Sequence, residues 1–340
     1  MPDSPRILTA DRGDAGLRLD LVVRRHLQDL DTATRTRVQA WIESGLVSVN
    51  GRPVRRVSTR TAIGDVVAVR LPEGAPRQVM QAEDVAIDLL YEDDHLLALN
   101  KPAGVVVHPS YRNSTGTLMN ALLWHARAWP APQRPSLVGR LDKLTSGIVV
   151  VAKSACAHAV LQRAMAESEK DYLAVVYGRV KVARGEIDLC ILHDPTDRRR
   201  MITSRTEGAS SLTRYERLGR ASASGVGLAL LRCRLVTGRT HQIRVHLAAR
   251  KWPIVGDPVY GAPLWSGIED ETLAALLKAF PRQALHAWRL ALTHPATRKP
   301  LVIEAPLPDD MTTLMKASKL DEFSDRSDRV LRRGTGIGSA

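Results

Sequence analysis

In the middle of this chain strand follows strand without a regular helix between, and that order restricts the fold more than any other feature. At residues 231–235 (LRCRL) polar and apolar side chains alternate, the two-residue period of a strand with one buried face. Further strand patterns occupy 96–99, 147–152, 173–176 and 227–236, while helical spacing is clearest at 117–128, 155–169 and 269–280. A doubly wound parallel sheet needs strand–helix–strand alternation. Its absence points to an α+β fold with a mixed, mostly antiparallel sheet and flanking helices. A chain of 340 residues exceeds what one core usually encloses, so two or three domains are expected.

The region with this texture runs from 84 to 308. Ahead of it, 16–81 reads as a compact helix-helix-hairpin unit. Residues 18–27 (RLDLVVRRHL) give a short helical face, and Val38, Ile42 and Leu46 begin a second. A strand at 46–49 ends in the turn pair Asn50-Gly51, and a second strand covers 65–71. Between 34 and 60 stand Arg35, Arg37, Arg52, Arg55, Arg56 and Arg60 against the single acid Glu43. Such a run is either a solvated face or a phosphate-contacting one. Residues 72–81 (PEGAPRQVMQ) have the character of a linker, and 309–340 that of a weakly ordered tail.

The net charge of +13 favours a polyanionic partner, because each Lys or Arg laid against a phosphate releases condensed counterions. Cys156, Cys190 and Cys233 are isolated and lack the spacing of a zinc site, which suits a reducing compartment. Residues 1–12 have no apolar stretch of the secretory kind, and the longest apolar run, 148–152, is far too short to span a membrane. A cytoplasmic protein with no membrane partner is expected.

Three segments carry residues suited to chemistry. In 139–147 (GRLDKLTSG) Asp142 lies between Arg140 and Lys143 in a glycine-bounded turn just before a strand. An opposite charge within about 4–6 Å would keep such a carboxylate ionised, although charged surface turns are common. In 237–247 (TGRTHQIRVHL) Thr240 is a plausible N-cap for a helix starting near His241. Ile243 and Leu247 then face the core, and Arg244 points off that stripe toward a place where a carboxylate could meet it. His241 and His246 are five apart and do not share a helix face, so a metal site is not expected. In 169–175 (EKDYLAV) a charged turn opens a strand on Tyr172, which either packs or offers a flat face to an unstacked base.

Together these segments resemble the signatures of the RluA-type pseudouridine synthases: GRLD at 139–142, KDYLA at 170–174 and GRTHQIRVH at 238–246, in the family's order. YEDDHLL leading into NKPAG at 91–104, IVGDPVYG at 254–261 and LHA at 285–287 add to the likeness. Residues 18–27, 34–51 and 64–69 resemble an S4 RNA-binding domain, as in the RluD-like branch. The resemblance implies the pseudouridine synthase fold behind a small S4-like α+β domain, acting as a monomer without cofactor on structured RNA. The RNA implied is 23S ribosomal RNA or its precursor particle, the alternatives being transfer RNA or a non-catalytic ribosome-assembly role. It implies Asp142 as catalytic aspartate, Arg244 as its orienting partner and Tyr172 as the aromatic against the base. Arg140 would fill the space left by the extruded uridine, and Arg35, Arg37, Arg52, Arg55 and Arg56 would contact RNA. Gly139, Leu144 and Trp252 depart from the family's frequent His, Asp and His.

Overall fold

The computed structural model describes residues 5–27, 30, 33–71, 80–109, 114–197, 199–221 and 226–320. In the N-terminal unit four antiparallel strands lie in the order Arg6–Thr9, Val66–Val69, Val47–Val49, Arg52–Pro53. Asn50 and Gly51 both take positive φ, 50° and 76°, so the two-residue turn matches the twist of its hairpin. The Asn50 side chain then ties the turn to the neighbouring strand, accepting from Val66 N at 2.9 Å. The helices Leu19–His26 and Arg35–Glu43 cover one face of this sheet, burying Leu19, Val23, Val38, Trp41 and Ile42 against Val47, Val67 and Val69. Strand Arg6–Thr9 precedes the start of this unit as read from sequence at residue 16, and pairs Arg6 with Val69.

The main sheet runs Arg184–Asp188, Leu212–Ala221, Leu228–Leu235, Glu169–Tyr177, Leu285–Thr293, Ser146–Ala152, Leu96–Lys101, Leu89–Glu92. Pro300–Glu304 also pairs with Leu285–Thr293, and Ser136–Leu137 with Ser146–Ala152. Among the described pairings one is parallel: Leu285–Thr293 with Ser146–Ala152. The fold is the α+β arrangement that the strand order implies. Ser146–Ala152 is buried along its whole length, which is why it reads as an unbroken apolar run.

Helices begin where polar caps stand. Ser154 accepts from Ala157 N ahead of Ala155–Glu167, and Asp270 from Leu273 N ahead of Glu271–Ala279. Thr117 and Asn120 form a capping box for Leu118–His125, and residues 126–128 tighten into a 3-10 turn.

Two expectations change. Residues 169–171 are part of strand Glu169–Tyr177 and not a turn. Asp171 lies opposite Arg234 on the neighbouring strand and accepts from its Nε and Nη2 at 2.7 and 2.8 Å. The local run of charge is thus neutralised by a residue 63 positions away. Within the expected tail, Asp309–Ala317 is a helix whose Met311, Leu314 and Met315 join the core containing Leu277, Phe280 and Leu285. Residues 321–340, and residues 72–79 of the expected linker, lie outside the described residues.

Candidate active site

The loop carrying Asp142 is fixed through the residues that follow it. Downstream, Gly147 (φ 110°) lies so close to the parallel strand that a Cβ would stand 2.2 Å from Ala287 O, so only glycine permits the pairing. Ser146 Oγ is 2.9 Å from His286 Nδ1, Gln283 Nε2 donates to Thr145 Oγ1 at 3.1 Å, and Thr145 N donates to Asp142 O at 3.0 Å. Next to Asp142, Lys101 is fully buried, and its ammonium donates to Pro102 O, Val105 O and Lys143 O at 2.8, 3.0 and 3.1 Å. Burial, followed by the Arg282 cation, lowers the Lys101 pKa to about 8 against the opposing pull of Asp142.

The carboxylate itself is held by Arg244, from helix Gln242–Ala249. Arg244 Nη1 donates to Asp142 Oδ2 at 2.8 Å, while its Nε and Nη2 donate to Asp257 Oδ2 and Oδ1 at 2.7 and 2.9 Å. Asp257 also accepts Val259 N and Tyr260 N at 2.9 and 3.0 Å. Burial works against the Asp257 charge, but Arg244 and these two N–H groups outweigh it and hold the carboxyl below the usual carboxylate range. Arg244 is itself raised: burial opposes its charge, and Asp257 and then Asp142 more than compensate. Gly256 (φ 70°) lets this loop lie where a Cβ would meet Arg282 O at 2.1 Å. Side-chain exposure climbs along the chain of charge, from 0% at Asp257 through 5% at Arg244 to 27% at Asp142. The two-pronged grip on Asp257 fixes the guanidinium plane, and the remaining nitrogen presents Asp142 toward the surface.

Tyr172 is half-buried in strand Glu169–Tyr177, opposite Cys233 and Ala287. Burial and then the Asp142 charge push its phenol well above the ordinary range, so it keeps its proton at neutral pH. It is a neutral aromatic within reach of the Asp142 charge.

Arg140 and Lys143 are both exposed. The cation bonded to Asp142 is therefore not one of its sequence neighbours but Arg244, 102 positions on. Thr240 is not the cap of the following helix: the N-cap is His241, left-handed at φ 56°, and its side chain makes no cap bond. Gln242 Oε1 instead accepts from Arg239 N and Thr237 Oγ1, both at 2.9 Å, and so holds the turn ahead of the helix. His246 is buried and bonded to Thr213 Oγ1 at 2.9 Å, a packing role. Trp252 packs edge-to-face on Tyr215 with ring centres 5.2 Å apart. Among the described residues no three His, Cys, Asp or Glu side chains are grouped to hold a metal. Arg35, Arg37, Arg52, Arg55 and Arg56 are all exposed on the N-terminal unit. Asp257, Lys101 and His241 were not singled out as site residues from sequence. The Asp within IVGDPVYG was the available signal, a carboxylate set between glycines.

A guanidinium-held aspartate at the start of a central strand, in a chain that also carries a small domain with exposed arginines, fits an RNA-modifying enzyme. Residues 95–249 match the RNA pseudouridylate synthase family and residues 17–67 the S4 domain. The chain belongs to the RNA pseudouridine synthase family. It is 41% identical over 91% of its length, and 87% of the relative's, to ribosomal large subunit pseudouridine synthase D of Nitrosomonas europaea. The protein of that name from Xanthomonas campestris is 41% identical over 94% of this chain and 93% of its own. Among solved structures, human RNA pseudouridylate synthase domain containing 1 superposes with a TM-score of 0.53 at 25% identity, covering 68% of this chain and 88% of that one. Among the described residues no helix is long and apolar enough to cross a membrane.

Proposed function

We propose that this enzyme converts specific uridines of large-subunit ribosomal RNA, or of its precursor particle, to pseudouridine. It acts as a cytoplasmic monomer, with Asp142 as the catalytic carboxylate, Arg244 orienting it and Tyr172 lying against the target base. The reaction breaks the N1–C1′ bond, turns the uracil and joins C5 to C1′; N1 gains a proton and C5 loses one. The nucleotide must first leave the helical stack, which costs a few kcal/mol. Arg140, exposed two residues before Asp142, is suited to fill the gap that the nucleotide leaves. The exposed arginines Arg35, Arg37, Arg52, Arg55 and Arg56 are suited to RNA phosphates.

One observation carries this reading: the bond from Arg244 Nη1 to Asp142 Oδ2, backed by the buried Asp257. A carboxylate serves both conceivable routes, attack on C1′ or removal of a sugar proton, and the guanidinium aims it. The names of the relatives support the choice of RNA. Pseudouridine mapping of total RNA from cells with and without the protein is the test. Loss of specific pseudouridines in large-subunit ribosomal RNA is expected, and loss confined to transfer RNA would overturn the substrate. An Asp142→Ala protein that restored the missing marks would overturn the catalytic assignment.

A further inference from the structure

His241 has no part in the reaction as proposed above, yet its conformation is unusual. Its backbone is left-handed at the helix N-terminus, where a residue bearing a Cβ is strained. Since Gln242 satisfies the turn, the imidazole is released for other contacts. Its Nδ1 lies 3.0 Å from Tyr260 Oη and its Nε2 3.8 Å from Asp142 Oδ2. The Tyr260 oxygen already accepts Met201 N–H at 2.8 Å, so its hydroxyl proton is directed to Nδ1. The ring proton then belongs on Nε2, the nitrogen that faces Asp142. The charged and titratable groups around the ring are Asp142, Arg244, Asp257 and Tyr260. Burial, with the Arg244 cation, outweighs the two carboxylates and holds the His241 pKa below its ordinary value. The ring is neutral at pH 7 and carries that single proton.

We infer that His241 is a positioning residue for Asp142: its Nε2–H joins Arg244 on Oδ2 when a nucleotide occupies the site, leaving Oδ1 as the oxygen that acts on the sugar. At 3.8 Å the contact is longer than a hydrogen bond, and such contacts tighten when a site is loaded. Among the described residues no hydrogen bond engages Oδ1, whereas Arg244 and His241 both converge on Oδ2. A neutral donor fixes the carboxylate plane without placing a second full positive charge on the reacting group.

The inference rests on the pseudouridine synthase reading, and its test separates the two. With full-length protein and a large-subunit ribosomal RNA transcript tritiated at uridine C5, single-turnover tritium release and RNA affinity are measured side by side. Asn tolerates the left-handed backbone but reaches only as far as Nδ1, whereas the Gln amide reaches as far as Nε2. His241→Asn is expected to slow release about tenfold or more with RNA affinity within about twofold, and His241→Gln to recover most of the rate. A His241→Asn rate equal to wild type, or equal losses in both variants, overturns the inference. Nitrogen-15 NMR of histidine-labelled protein gives a readout independent of turnover. A neutral, Nε2-protonated His241 whose signal moves in Asp142→Asn is expected; a ring protonated on Nδ1, or one indifferent to that substitution, overturns the inference. Wild-type protein that releases no tritium sinks the reaction instead, and the NMR result then decides the placement of His241.

Discussion

The two halves of this molecule use arginine in opposite ways. In the N-terminal unit Arg35, Arg37, Arg52, Arg55 and Arg56 stand exposed on a small sheet and its helices. In the synthase region Arg244 and Arg282 are buried, each gripping a carboxylate with two nitrogens, Asp257 and Asp310 respectively. An exposed guanidinium adds little to stability and remains available to phosphate. A buried one paired on both sides orients its partner, and its removal leaves a charge stranded in protein. Binding and chemistry should therefore separate by region.

The sharpest break of that comparison is Asp142→Ala. Pseudouridine formation in a single turnover should fall to the uncatalysed level, while filter-binding affinity for RNA stays within about twofold, since one partly buried carboxylate contributes little to binding a polyanion. Residual turnover near wild type would remove Asp142 from the chemistry. Arg244→Met comes next: the rate should drop roughly 10²–10³-fold, and urea unfolding should show a loss of about 3–5 kcal/mol from the stranded Asp257. A rate loss with unchanged stability would mean that the Asp257–Arg244 grip is not structural.

Acid provides a third comparison. Because the Asp257 pKa is lower folded than unfolded, its stabilisation is fully present above the unfolded value of about 3.9 and is lost as pH falls through the folded value. Urea titrations from pH 6 down to 3 should show wild type losing stability at the acid end and Asp257→Asn losing less. Parallel curves would assign the acid sensitivity elsewhere.

The N-terminal arginines should answer differently. Replacing Arg35, Arg37, Arg52, Arg55 and Arg56 together by Ala should weaken RNA binding at least about tenfold and flatten its salt dependence by roughly 0.7–0.9 for each phosphate no longer neutralised. Turnover at saturating RNA should be unchanged and stability should move by less than about 0.5 kcal/mol per site. Arg52→Ala alone is the smallest expected effect, a change in salt slope of less than about one. A collapse of turnover in the five-fold variant would show that the two regions do not divide the work.

The sequence made legible what depends on local pattern. The buried strand 146–152, the Asn50-Gly51 hairpin and the alternation at 231–235 are periodicities and turn chemistry that any window displays. What was hidden needed a partner from elsewhere. The charge of Asp171 looks like a turn until Arg234 is placed across the ladder, and strand Arg6–Thr9 is too short to recognise without Val66–Val69 beside it. At the site, Asp142 stood out with its two adjacent cations, yet those are exposed and its partner is Arg244. Asp257 and Lys101 act through contacts made only after folding, with Arg244 and with three backbone carbonyls. The strained His241 was hidden because backbone handedness leaves no periodic trace.

The place of strand Leu285–Thr293 has a consequence for synthesis. It lies between Glu169–Tyr177 and Ser146–Ala152, so the sheet is two separate halves until this late segment enters. Asp142 leads into one half and Arg244 follows the other. A chain emerging from the ribosome holds both residues well before it holds the strand that unites them. The Arg244–Asp142 bond therefore joins two half-sheets whose spacing is set by a strand made later than either residue.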